Sequence, residues 1–193
     1  MMRAMNALHD LRMDKATFLR WVQTQEGRFE LIGGRVVMQD TGTRGHSDVG
    51  LAFYDVLRPQ LSRKDWSIST GQLSVEIGQE VRVADVMVEP AGLPRNANAT
   101  DQAVLLVEVL SPSTKGADFN AKRSLYASLP SIEIYIVASQ DEPRLWIWRR
   151  ARDGEPAFPE NPIEIADLAA AIHLAHFNIT FTLNDVYQHI FSG

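Results

Sequence analysis

Glu108 lies inside the run Ala103-Val104-Leu105-Leu106-Val107-Glu108-Val109-Leu110, where seven of eight residues are hydrophobic. That composition reads as a strand buried on both faces of a sheet. A carboxylate there is costly unless something positive meets it. Two partners suggest themselves: a bound cation, or Lys122, which shares the apolar stripe Phe119, Leu125, Tyr126 and Leu129 of the next expected helix. A second carboxylate, Asp85, lies in the apolar stretch Glu80–Val88. Read as one strand, that stretch puts Asp85 on a face with Val81, Val83 and Met87, while Glu108 shares its face with Val104, Leu106 and Leu110. Glu30 is also flanked by apolar residues. Each residue alone reads equally well as a strand-edge charge or a buried ion pair. Together, two converging carboxylates would bind Mg²⁺ or Mn²⁺, since hard cations prefer oxygen ligands. A nearby lysine could then orient a water and steady a phosphoryl group in its transition state.

These residues need elements to position them. Asp14 caps an expected helix running to about Thr24, which Gly27 ends. Arg28–Ile32, Gly33-Gly34 and Arg35–Met38 read as a hairpin with a tight primed turn. After a polar turn over Asp40–Gly45, Val49, Phe53, Val56, Leu57 and Leu61 recur at helical spacing from about His46, with Pro59 ending or kinking the helix. Short strands follow at Trp66–Thr70, Leu73–Ile77 and Glu80–Val88. Leu93–Asp101 reads as a loop and Ala103–Leu110 as the central strand. Ser111–Gly116 is a turn whose Ser111, Ser113 and Thr114 suit helix capping, and Asp118–Leu129 is a helix stopped by Pro130. Ile132–Ala138 and Arg144–Arg150 form a strand pair, followed by a Pro-containing loop over Asp153–Pro162. A strand near Phe177–Phe181 leads to a last helix from Leu183, with Thr182 and Asp185 resembling a capping box. The fold class is α/β (α+β): a mixed central sheet flanked by a few helices. No repeat or interdomain linker is evident, so residues 14–193 read as one domain behind a flexible segment, 1–13.

The 193 residues carry a net charge of −5 and no cysteine. An absence of cysteine excludes disulfides and thiolate zinc sites, leaving carboxylate or histidine metal chemistry. The acidic balance argues against a strong non-specific nucleic-acid footprint, yet permits an enzyme whose cation offsets its own carboxylates at the point of contact. No stretch approaches the ~20 apolar residues of a membrane span, and residues 1–12 lack the apolar core of a signal peptide. A cytoplasmic location follows as the default.

Other motifs carry less. His173 and His176 are three apart but have no third ligand in view. Thr41-Gly42-Thr43-Arg44-Gly45 lacks the Gly-Lys-Ser/Thr of a phosphate-binding loop; it reads as a turn, from which Arg44 could contact phosphate. Trp146 and Trp148 alternate on one strand, which suits a core face better than a dimer surface. No Gly-x-Ser-x-Gly elbow supports a serine hydrolase.

The chain resembles the Uma-type restriction endonuclease family, a branch of the PD-(D/E)XK nuclease superfamily. The resemblance runs from about Asp14 to Phe191. Phe29-Glu30-Leu31-Ile32-Gly33-Gly34-Arg35-Val36-Val37 looks like the family's aromatic-Glu-Leu-Ile-Asp-Gly-Glu hairpin, and His46 follows at the start of the next helix. Val83-Ala84-Asp85-Val86 stands where the family usually has Pro-Asp-Val. The most specific piece is Leu106-Val107-Glu108-Val109-Leu110-Ser111-Pro112-Ser113-Thr114, and Asp118, Lys122, Arg123 and Tyr126 match the helix after it. The resemblance implies a restriction-endonuclease-like fold and a metal-dependent endonuclease. It makes Asp85, Glu108 and the backbone carbonyl of Val109 the ligands of Mg²⁺ or Mn²⁺. In most of the superfamily a lysine sits two residues after the glutamate. Here that position is Leu110, and the Uma-type pattern moves the lysine to the next helix, at Lys122. Glu30 is implied as an accessory carboxylate for a second metal or a water, with His46 and Tyr126 in support. Ala84 replaces the usual proline, Gly33 stands where the family has Asp, and Arg35 replaces a glutamate.

Three function classes compete. The first is a DNA endonuclease with Asp85, Glu108, Lys122 and Glu30 in its site, for which a homodimer would pair two sites across a duplex. The second is a non-catalytic binding or assembly protein that retains the nuclease fold, slightly favoured by the acidic charge. The third, glycoside hydrolysis by two carboxylates, leaves Lys122 unexplained and has no aromatic subsite pattern behind it.

Overall fold

The computed structural model describes residues 11–39, 42–110, 119–150 and 158–191. The expected Ser111–Gly116 turn and its capping hydroxyls lie outside these residues, as do Asp118, Asp40, Thr41, residues 1–10 and most of the loop after Arg150.

Helix α1 (Lys15–Trp21) is capped by Asp14, whose carboxylate accepts the Thr17 N–H at 2.8 Å, and a 3-10 turn over Val22–Thr24 extends it. Strands β1 (Phe29–Ile32) and β2 (Arg35–Met38) form the expected hairpin. Gly33 and Gly34 both have positive φ, +55° and +76°, which a tight primed turn demands. Residues 11–13 lie along β2: the Val36 N–H donates to the Leu11 carbonyl and the Met13 N–H to that of Gly34. Helix α2 (Arg44–Leu57) stops two residues before Pro59. Its N-cap is Thr43, whose hydroxyl accepts the His46 N–H and donates to Gln140 Oε1 at 2.6 Å.

The stretch Glu80–Val88 departs from its sequence reading. It is two strands in two sheets, β5 (Glu80–Arg82) and β6 (Val86–Pro90), parted at Val83–Asp85. Val81, Val86 and Val88 look the same whether the chain stays in one sheet or crosses to the next, because all three are buried. Asp85 therefore sits at a strand end, where its side chain is free to leave the pleat. With β3 (Trp66–Ser69), β4 (Ser74–Ile77), the two-residue β7 (Ala99–Thr100) inside the expected loop, and β8 (Leu105–Leu110), the chain up to Leu110 supplies the whole five-stranded sheet and three strands of the six-stranded one. Helix α3 (Phe119–Ala127), β9 (Ile134–Ser139), β10 (Leu145–Arg149), β11 (Ile163–Ile165), β12 (Ala171–Leu174), β13 (Ile179–Thr182) and α4 (Leu183–Tyr187) complete it. The Thr182–Asp185 capping box at α4 is present, with both hydrogen bonds made.

The strand orders are β2-β1-β5-β4-β7, β11-β10-β9-β8-β6-β3, and β12-β13. In the six-stranded sheet β8 runs parallel to β9 and antiparallel to β6. The β8–α3–β9 path is a parallel crossover, the one connection in that sheet which needs a helix. Both faces of β8 are covered, as its composition predicts. Leu105, Val107 and Val109 pack with Val49, Phe53 and Leu57 of α2; Leu106 packs with Met87, Tyr135 and Tyr126 on the α3 side. Trp148 is buried in that second cluster, beneath Tyr135, and Trp146 packs against its edge. A third cluster joins Phe18 of α1 to Phe29, Leu31, Val36 and Val81. This architecture is the mixed α+β one expected, with sheets flanked by a few helices. Among the described residues, no helix is long and apolar enough to cross a membrane.

Candidate active site

The break at Val83–Asp85 leaves Asp85 just before β6, the strand that pairs with the β8 strand carrying Glu108. In the β6–β8 ladder Val86 pairs with Val107. One further step places Asp85 across from Glu108. The Asp85 N–H still donates to the Val107 carbonyl at 3.0 Å, the last main-chain bond of that ladder. Beyond it the Asp85 side chain takes over, and Oδ2 accepts the Val109 N–H at 2.8 Å. The other oxygen, Oδ1, faces His46 Nε2 at 2.9 Å and Arg28 Nη2 at 3.6 Å. Burial alone would raise the Asp85 carboxyl. The His46 hydrogen bond and charge, the Val109 N–H and Arg28 outweigh it and hold the group below the usual carboxylate range.

Glu108 points to the α3 side, at the end of β8. Lys122 and Tyr126, one helical turn apart, reach it together. Lys122 Nζ donates to Oε2 and the Tyr126 hydroxyl donates to Oε1. Lys122 is thus on the inward stripe of α3, and its side chain remains 32% exposed against 12% for Glu108. Tyr126 is buried edge-on against Tyr135. Burial and the Glu108 charge push its hydroxyl well above the ordinary tyrosine range, so it stays a donor.

Glu30 serves the same break from the other sheet. Its Oε1 accepts the Val83 N–H at 2.9 Å; its Oε2 accepts from Gln39 Nε2 at 2.7 Å and lies 3.5 Å from Arg82 Nη1. Arg82 is shared with Glu80. Burial raises the Glu30 carboxyl, opposed by the Val83 N–H and by the charges of Arg82 and Lys122.

His46 sits where the first turn of α2 reaches Asp85, and Thr43 holds that turn to Gln140 at the end of β9. Gly42 packs flat on the imidazole; a Cβ there would fall 2.9 Å from its Cδ2. Arg44, by contrast, is 93% exposed and pairs with Asp48, so the structure does not bring it to the other residues. His173 bonds Thr180, while His176 packs on Trp66 and Phe177. Among the described residues no three His, Cys, Asp or Glu side chains group as a metal site.

A cleft of about 450 Å³ opens beside Asp85, lined by Arg28, Gln39, His46, Gly50, Thr70 and Gly71 among others. Arg28 and Gln39 escaped the sequence reading. Both flank the Glu30 hairpin, but neither has a neighbour in sequence that reveals a cleft.

Comparison with known proteins bears on what this arrangement is. A protein of Synechocystis sp. described as "Uncharacterized protein slr1290" is 26% identical over 149 residues, 75% of this chain and 77% of its own. The crystal structure of a "putative nuclease belonging to DUF820" from Anabaena variabilis superposes with a TM-score of 0.65 at 15% identity, covering 89% of this chain and 98% of that one. That likeness speaks to the fold. A family model matches residues 16–175, a span that includes Glu30, Asp85, Glu108 and Lys122. The chain belongs to the Uma2 family, whose description is "Putative restriction endonuclease".

Proposed function

We propose that the protein is a metal-dependent endonuclease hydrolysing DNA phosphodiester bonds in the cytoplasm. What supports this reading is the placement of two part-buried carboxylates, Asp85 and Glu108, opposite each other on neighbouring interior strands of the six-stranded sheet, with an open cleft beside Asp85 and Lys122 bonded to Glu108. The donor set suits a hard divalent cation. Mg²⁺ is usually held by one or two carboxylates, with waters and substrate phosphates completing its shell. Asp85, Glu108 and the Val109 carbonyl would hold Mg²⁺ or Mn²⁺. The ion would polarise the scissile phosphate and stabilise its developing charge.

The chain's own residues then have separable roles. Tyr126 fixes one oxygen of Glu108, so that the carboxylate keeps one orientation. Lys122, anchored on the other oxygen and partly exposed, orients the water that attacks phosphorus while the bond to the leaving oxygen breaks. His46 and the Val109 N–H hold Asp85 ionised and aimed. Glu30 keeps the Val83–Asp85 crossing in shape and serves as the accessory carboxylate. A homodimer would set two such sites on opposite strands.

The test is nicking of supercoiled plasmid with Mg²⁺ or Mn²⁺, comparing wild type with Glu108→Ala and Lys122→Ala. Cleavage that needs the metal and both side chains supports the reading; cleavage that survives Glu108→Ala sinks it. A second reading, a non-catalytic binding protein on the nuclease fold, is favoured by the net charge of −5 and by the close pairing of Asp85 with His46 and of Glu108 with Lys122. It predicts folded protein with no turnover under either metal.

A further inference from the structure

Arg28, immediately before β1, has an unusual seat. A Cβ built on Gly71 would lie 3.1 Å from its Cζ and 3.2 Å from both terminal nitrogens, so the guanidinium plane rests flat on the Gly71 backbone. Gly71 itself has φ +65°, a conformation that L side chains rarely adopt. The positive φ calls for glycine here, and the missing side chain leaves the room that the Arg28 guanidinium occupies.

The seat holds a cation whose donors are largely unspent. The contact to Asp85 Oδ1 is 3.6 Å, too long for a hydrogen bond and far from the bidentate geometry that arginine and carboxylate prefer. The hydrogen bonds to Asp85 come from His46 and the Val109 N–H instead. Arg28 Nε is buried with no hydrogen-bond partner. The side chain is 37% exposed and, among the described residues lining the cleft, is the one Lys or Arg. Across the cleft, the Cβ position of Gly50 has nothing within 4 Å, and Met38 and Leu51 stand more than half exposed on the walls.

We propose that Arg28, seated on Gly71, is the anion clamp of this cleft and takes a phosphate oxygen of the bound nucleic-acid backbone beside Asp85. A rigid, permanently charged fork suits a phosphate better than a flexible ammonium does. The proposal rests on the nuclease reading for the identity of the ligand, but the clamp itself can be tested without turnover.

The experiment is fluorescence anisotropy of a labelled DNA duplex in Ca²⁺ across a KCl series, with stabilisation by inorganic phosphate in a thermal melt as a second probe. Wild type, Arg28→Ala, Arg28→Lys and Gly71→Ala are compared, each checked for a cooperative melt. For Arg28→Ala the slope of log affinity against log salt should fall by about 0.9, the value of one phosphate contact. Arg28→Lys should keep that slope with weaker binding. Gly71→Ala should weaken binding although the charge is unchanged, a result that a diffuse electrostatic role would not produce. Duplex binding by wild type with an unchanged slope in Arg28→Ala overturns the proposal, as does wild type that binds neither duplex nor phosphate. Arg28-dependent binding without any metal-dependent nicking would keep the clamp and discard the nuclease. Arg28-dependent stabilisation by phosphate with no duplex affinity would overturn the nucleic-acid ligand.

Discussion

The Asp85 carboxylate accepts the Val109 N–H at 2.8 Å, doing for β8 what a main-chain carbonyl would do had β6 extended further back. One side chain therefore ends a ladder and presents a second oxygen to the cleft. The two tasks make different demands on the residue. The first needs an acceptor; the second needs a charge.

Asp85→Asn should separate them. The amide oxygen can still accept from Val109, so stability at neutral pH should stay within about 1 kcal/mol of wild type, while Asp85→Ala strands a buried N–H and costs about 1–3 kcal/mol. Both should lose cleavage. The Asp85 carboxyl is depressed in the folded state, so its stabilisation is present above the ordinary aspartate range and is lost as pH falls through the lower folded value. Denaturant melts at neutral pH and at pH about 3 would show the gap between wild type and Asp85→Asn close on acidification; a pH-independent gap contradicts this account.

Glu30 is expected to matter for folding as much as for chemistry. It satisfies the Val83 N–H at the crossing between sheets and neutralises Arg82. Glu30→Ala leaves the Val83 N–H unpaired and Arg82 with Glu80 alone, which costs about 1–3 kcal/mol. Urea denaturation should show that loss with the m-value unchanged; a loss below 1 kcal/mol would leave Glu30 a purely functional role.

Gly50 gives the opposite sign. It lies inside α2, where glycine is poorer than alanine by roughly 0.5–1 kcal/mol. Nothing within 4 Å would obstruct a Cβ. Gly50→Ala should therefore raise Tm by about 1–4 °C. Gly50→Leu should fill the cleft and weaken DNA-duplex binding without unfolding the chain. Unimpaired duplex binding by Gly50→Leu would show that the ligand does not enter here.

Glu89 is a buried acid outside the site. It is 3% exposed; Ser69 bonds one oxygen, and the other has no partner. Burial raises its carboxyl despite that bond. An acid raised in the folded state stabilises the fold only when protonated, below its unfolded value, and loses that contribution as pH rises through the folded one. Glu89→Gln should thus melt higher than wild type at pH 7, with the advantage vanishing at about pH 4, near the unfolded glutamate range. A lower Tm at pH 7 would mean that the unpartnered oxygen has a bound water or ligand that the amide cannot satisfy.

Local chemistry was legible in the sequence wherever neighbours along the chain decide the outcome. Gly33-Gly34 dictates a primed turn because both positions need positive φ. Pro59 limits α2, Thr182 and Asp185 cap the last helix, and the β8 run announces a strand covered on both faces. Glu108 and Lys122 were legible as partners because a charge amid apolar residues needs an opposite charge, and the next helix offered one on its inward stripe. The break at Val83–Asp85 was not legible, since apolar residues on either side look the same whether they enter one sheet or two. Nor was the Arg28 seat on Gly71, forty-three residues away. Glycine's lack of a side chain becomes a site only when another segment folds against it, and that was decided by the packing of the two sheets rather than by any local pattern.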